Sequence, residues 1–213
     1  MINLITEYVK AHCKDDTTGH DWWHINRVVR LALYIGRKEN ADLYLIELSA
    51  LLHDLDDWKI AGGGENYPNA RKVFKLFEVN KDTAEKVIRI ISEVSFKGAG
   101  VITTPNTIEA KVVQDADRLD AIGAIGIART FAYGGSRQNP IHNPELNPIQ
   151  HTSFTDYKTS KGTTINHFYE KLLLLKDRLN TDAAKQIAED RHQFMEQFLN
   201  QFYREWNGND LIM

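Results

Sequence analysis

The sequence predicts an all-α protein, on three observations. Apolar residues recur at spacings of three and four along most of the chain, as one buried face of a helix requires. Short alternating apolar runs closed by Asn-Gly or Gly-Gly turns, the mark of hairpins, are nearly absent. Where the apolar period lapses, residues suited to helix ends appear. Asn40 can stop a helix in a left-handed conformation, Pro68 fits a first helical turn, and Asn180 can end one helix just before Thr181 caps the next.

Taken in order, the helices fall at about 2–12, 21–39, 42–55, 67–78, 81–96, 106–115, 117–132, 163–178 and 181–206. In the second, Trp23, Val28, Leu31 and Ile35 form the apolar stripe. In the third, Leu48, Leu51, Leu52 and Leu55 do so. The last ends in QFMEQFLNQFYREW, an amphipathic stretch suited to packing on a bundle or to a homodimer interface. Two segments read as irregular, KIAGGGEN at 59–66 and the stretch from Gly134 to Gly162. A loop of the second one's length is ordinarily functional or a partly ordered lid. Internal repeats and low-complexity tracts are absent.

At 213 residues the chain is long enough for a sizeable core, and nothing in its composition forces a division into two domains. A formal charge of −3 supplies no field to hold a nucleic acid polymer, although a small phosphorylated ligand remains compatible. The lone Cys13 cannot form an internal disulfide, the N-terminus lacks the pattern of a signal peptide, and no 18-residue apolar run suggests a membrane span. A cytoplasmic location is the default expectation.

Chemistry concentrates in three places. DWWHINRVVRLALYIG places His24 and Arg27 three apart, so an imidazole and a guanidinium project from one side of a helix. A lone histidine there would ordinarily be a hydrogen-bonded core residue. ELSALLHDLDDWK adds His53 and Asp54 at the end of an apolar helix. Adjacent helical residues point about 100° apart, so they share a ligand only if it sits over the helix edge and a third element closes the other side. A metal ion meets that demand. The alternative is a solvated acidic helix end, where negative charge opposes the helix dipole and calls for a compensating cation. EAKVVQDADRLDAIGAIGIARTF sets Asp115, Asp117 and Asp120 in an apolar helix, where carboxylates need partners. The small residues Ala121, Gly123, Ala124 and Gly126 would allow close helix approach. Spacing alone does not choose among the three aspartates.

Together, His24, His53-Asp54 and Asp117 within DADRLDA resemble the HD-domain superfamily of metal-dependent phosphohydrolases. The likeness includes the arginine three residues after the first histidine and the Asp-Arg-Leu context of the last aspartate. It extends from about Gly19 to Gly208 and is nearest to a bacterial subgroup whose studied members cleave nucleoside triphosphates to monophosphate and pyrophosphate. The resemblance implies a helical bundle forming one domain, with a metal-site core at about 19–133, a loop at 134–162 and C-terminal helices at 163–207. It implies His24, His53, Asp54 and Asp117 as ligands of one divalent metal, Mn²⁺ first, with Mg²⁺, Co²⁺, Ni²⁺ or Fe²⁺ as alternatives. Two imidazoles and two carboxylates suit an open octahedral site better than closed tetrahedral zinc. It further implies Asp57 as the acid that handles a proton, at a position where the family often has glutamate. No histidine lies between Asp54 and Asp117, so a second metal is not expected.

With neither a GxxxxGK[ST] loop nor a GxGxxG turn in the sequence, phosphate must be held by side chains or helix ends. Arg27, Lys59, Arg118 and Arg137 are the cationic candidates, Tyr133 a cleft-lining one, and His20 a substrate neighbour rather than a ligand. His142, His151, His167 and His192 lack ligand spacing. Trp22, Trp23 and Trp58 read first as core and only second as stacking platforms. A nucleotidase, a phosphodiesterase and a non-catalytic metal-nucleotide binding module are the competing functions.

Overall fold

The structure, a computed structural model, describes residues 1–13, 21–56, 66–95, 100, 103–150 and 162–211. Those residues are helical without strands: α1 (Ile2–His12), α2 (Trp22–Lys38), α3 (Leu43–Leu52), α4 (Pro68–Leu76), α5 (Lys81–Ser92), α6 (Ile108–Asp120), α7 (Gly123–Ser136), α8 (Thr164–Glu170) and α9 (Asp182–Trp206). Two 3₁₀ turns, Leu172–Leu174 and Lys176–Arg178, join the last pair.

Most of these helices start where a side chain takes over an orphaned first-turn amide. Asp21, Asp42, Asn80, Thr107, Thr163 and Thr181 cap α2, α3, α5, α6, α8 and α9. Asn40 takes the left-handed conformation, φ 54°, between α2 and α3, and Pro68 opens α4.

The core consists of two adjoining clusters with α3 between them. Ile46 and Ala50 face one, with Val28, Leu119, Phe168 and Leu199. Leu48, Leu51 and Leu52 face the other, with Ile5, Ile25, Val73 and Val87. Buried on both sides, α3 has no polar face, and its end emerges between α2 and α6.

Several boundaries depart from the sequence reading. The break expected at residue 116 lies at Ala121 and Ile122, so the DADRLD run stays on one helix. Gly123, at φ 74°, makes that turn, and a Cβ on Gly126 would overlap the Ala121 carbonyl oxygen. Gly126 serves the turn, while Gly123 also lets α9 come close, since a Cβ there would meet the Arg191 side chain at 3.0 Å. α3 stops at Leu52 instead of 55, and the helix expected over 163–178 breaks at Lys171. From there Leu172 and Leu175, three apart, reach the core through 3₁₀ turns, whose period is also three.

The irregular stretch begins after Ser136 rather than at 134, because Gly134 lets α7 run on against Thr164. Its described part, residues 137–150, is strapped to α8: Thr164 and Ile165 amides donate to the Pro140 and Ile141 carbonyls at 2.9 and 3.0 Å. Trp23 is not in the apolar stripe but 62% exposed; Ile25, Val28, Ala32 and Ile35 face inward, and Trp22 packs on the second cluster. Among the described residues no helix is long and apolar enough to cross a membrane.

Candidate metal centre

The first turn of α2, the end of α3 and the last turns of α6 meet at one point. His24 Nε2 lies 3.1 Å from Asp54 Oδ2, 3.3 Å from His53 Nε2 and 3.6 Å from Asp117 Oδ1. His53 Nε2 lies 3.4 Å from Asp54 Oδ1 and 3.8 Å from Asp117 Oδ1. Ligand atoms of His24, His53 and Asp117 all fall within 4.8 Å of one another. His24, His53 and Asp54 are buried, whereas the Asp117 side chain is 26% exposed, so the cluster opens on the Asp117 side.

The far nitrogen of each ring decides what the near one can do. His53 Nδ1 donates to the Ala50 carbonyl at 2.8 Å, and His24 Nδ1 lies 2.7 Å from Asp120 Oδ2. With both Nδ1 atoms committed as donors, two Nε2 lone pairs and two carboxylates face one another in a desolvated space. Such a group requires a cation, and two imidazole nitrogens with two carboxylate oxygens fit a divalent ion of intermediate hardness. The charges agree. Burial and the Arg129 charge lower the proton affinity of His24, but hydrogen bonds with Asp120 and Asp54 outweigh them and leave it raised. Burial works against ionised Asp117, yet His53 and His24 hold its carboxyl below the usual range, helped by Lys171.

Asp120 anchors a ring of arginines behind His24. Arg27 Nε and Nη2 donate to its two oxygens at 2.7 and 3.0 Å, and Arg129 Nη1 donates at 2.8 Å. Burial would push the Asp120 carboxyl up, but the hydrogen bonds from His24 and Arg27 and the charge of Arg129 hold it far below the ordinary carboxylate range. Arg191 from α9 donates to the Leu119 carbonyl at 2.6 Å.

The three aspartates of α6 are thereby sorted. Asp115 accepts from the Asn180 and Thr181 amides and from the Thr181 hydroxyl, fastening α6 to the start of α9; Asp117 joins the cluster; Asp120 orients it. Asp56, three residues from His53, accepts from the Asn69 and Ala70 amides at 3.0 and 2.9 Å and so caps α4 from outside.

Of the residues considered for substrate, Arg27 lies at the cluster, bound to Asp120. Arg118 is 6% exposed, and its guanidinium turns to the Arg178 carbonyl; burial brings its pKa down to about 10. Arg137 stacks on Tyr133, 5.4 Å from the ring centre, at the end of α7. His20, Asp57 and Lys59 lie outside the described residues, as do Trp58 and His151. His142 packs edge-on to Trp206 at 4.8 Å, and His192 pairs with Glu196 at 3.5 Å.

Sequence reasoning named Asp120 without giving it a role, and missed Arg129 and Lys171. Asp120 carried a signal, three residues from Asp117 on the same helix. Arg129 carried none, because only the turn at Gly123 brings α7 back to α6.

The chain is similar to several known proteins. A family model described as HD domain matches residues 22–122. The Bacillus subtilis protein YpgQ is 41% identical over 208 residues, covering 97% of this chain and 94% of its own. Its crystal structure in complex with ADP superposes with a TM-score of 0.75 at 38% identity, over 96% of this chain and 97% of that one. A Lactobacillus plantarum crystal structure superposes with a TM-score of 0.89 at 37% identity, over 97% of each chain. An HD-superfamily hydrolase from Bacillus thuringiensis gives 0.72 at 41%, over 97% and 96%.

Proposed function

Because this chain belongs to the HD-domain superfamily, we propose that it is a mononuclear metal-dependent phosphohydrolase of nucleotides, cleaving nucleoside triphosphates to monophosphate and pyrophosphate. One observation carries the reading: a two-histidine, two-aspartate cluster lies beside the buried carboxylate of Asp120 and the arginines it holds. A divalent ion would balance Asp54 and Asp117. Arg27, Arg129 and Arg191 then surround the single carboxylate of Asp120, and Lys171 adds its field at Asp117. Cations beside a metal cluster suit a polyanion, and the YpgQ complex with ADP supports a nucleotide.

When bound, the ion supplies Lewis acidity toward a phosphoryl oxygen and raises the acidity of a water. His24, His53, Asp54 and Asp117 would hold it, Mn²⁺ being the first choice. Asp120 and the Ala50 carbonyl keep the two Nε2 lone pairs directed inward. Arg27, Arg129 and Lys171 would meet charge developing on the phosphates. In the hydrolysis the water oxygen bonds to the α-phosphorus, the α–β anhydride bond breaks and pyrophosphate leaves with the bridging oxygen. Asp57 is assigned the proton released by the water. This reading includes a cytoplasmic location, with which the lone cysteine is consistent.

The test is product identity. Metal-loaded protein incubated with a nucleotide panel should release pyrophosphate from triphosphates; orthophosphate alone would instead support a nucleotidase or related phosphatase. Tight nucleotide binding without any product over hours would make the protein a binding module.

A further inference from the structure

We propose that Asp120 is the positioning residue of this site: one buried carboxylate fixes the tautomer of His24 and at the same time holds Arg27 and Arg129 as its cationic rim. The carboxylate, 2% exposed, sits at the end of α6 and receives donors from two other helices, α2 and α7. Oδ2 meets His24 Nδ1 at 2.7 Å, Arg129 Nη1 at 2.8 Å and Arg27 Nη2 at 3.0 Å, while Oδ1 takes Arg27 Nε at 2.7 Å. A carboxylate oxygen has about two acceptor positions, and Oδ2, the oxygen on the His24 side, already meets three donors. Asp120 is therefore a holder of other groups and not a further metal ligand.

Its charge does two things that its shape alone would not. A negative group on Nδ1 makes Nε2 a better donor toward a metal, as carboxylate–histidine pairs do. It also lets two guanidiniums, which repel each other and the cation site, stand beside a metal ligand. Arg129, a cation held on the same Oδ2 as His24, would oppose a bound metal ion where Asp120 favours one, so the two residues differ in sign. The rim half of the proposal rests on the phosphohydrolase reading above; the ligand half does not.

The experiment titrates Mn²⁺ into the full chain, following free Mn²⁺ by EPR, and separately measures pyrophosphate binding to the loaded protein. Asp120→Asn should weaken Mn²⁺ binding about 10–100-fold. Arg129→Gln should leave it equal or tighter while weakening pyrophosphate at least severalfold. Unchanged Mn²⁺ affinity in folded Asp120→Asn, or an equal loss in both variants, overturns the ligand half. Unaltered pyrophosphate affinity in Arg129→Gln overturns the rim half. If pyrophosphate binds neither wild type nor variant while Asp120→Asn still loses Mn²⁺, the substrate reading fails and the ligand half stands. Should Asp120→Asn not fold, ¹⁵N-histidine spectra of Mg²⁺-loaded wild type decide the same point. His24 should carry a slowly exchanging proton on Nδ1, and an unprotonated Nδ1 overturns the proposal.

Discussion

His24 and His53, 29 residues apart, point their Nε2 atoms at each other across 3.3 Å while each Nδ1 is already committed elsewhere. Neither ring has a proton to give the other in the neutral form. Such a pair could hold a cation, and the measurable consequences begin with the metal.

One equivalent of Mn²⁺ should co-purify with or titrate into the protein, and His53→Ala should abolish it. Chelation should lower the melting temperature, because ligand binding at a hundredfold excess over Kd contributes about 2.7 kcal/mol. Elemental analysis with thermal melts checks this; a melting point indifferent to Mn²⁺ and chelator would remove the metal from the account.

Replacing Asp57 by Asn should lower kcat about 100-fold or more, the range for loss of a general acid or base, while Mn²⁺ stoichiometry stays at one. Steady-state rates on a nucleoside triphosphate with parallel metal analysis make the comparison. Unchanged kcat would assign the proton to another group.

Lys171→Met should raise KM for a triphosphate several-fold with a smaller change in kcat, since its charge is felt at Asp117. A variant with wild-type KM would place Lys171 outside the substrate's reach.

Away from the metal, Asp56→Ala should cost about 1–2 kcal/mol in urea unfolding, the scale of a lost helix cap, since the first turn of α4 has no cap from its own Tyr67. Asp115→Ala should cost more, about 3 kcal/mol, because it strands the buried amide of Thr181 and detaches α9 from α6. Equal, negligible losses in both would mean that these carboxylates do not hold the helices.

The helices were legible because their periodicity is local. Helix α3 shows the limit of that reading: its buried residues lie on both sides, so the amphipathic signal fades although the helix is central. Trp23 shows the opposite error. A tryptophan at helical spacing suggested core, but the α2 face that turns inward begins at His24 and Ile25, leaving Trp23 in solvent. Asp56 had no assignment from the sequence because its partners, the amides of Asn69 and Ala70, belong to a helix that starts a dozen residues later.

By itself the sequence determined the all-helical class, most helix starts through their caps, and the family through His24, His53-Asp54 and Asp117, since each depends on residues close along the chain or on a motif. Tertiary structure alone decided what Asp115 and Asp120 do beside Asp117. All three sit on one helix in similar apolar surroundings, and only the arrival of α9 at Asp115, of α2 and α3 at Asp117, and of α2 and α7 at Asp120 gives them different partners. A buried carboxylate takes its role from the donors around it, and those donors come from elsewhere in the chain.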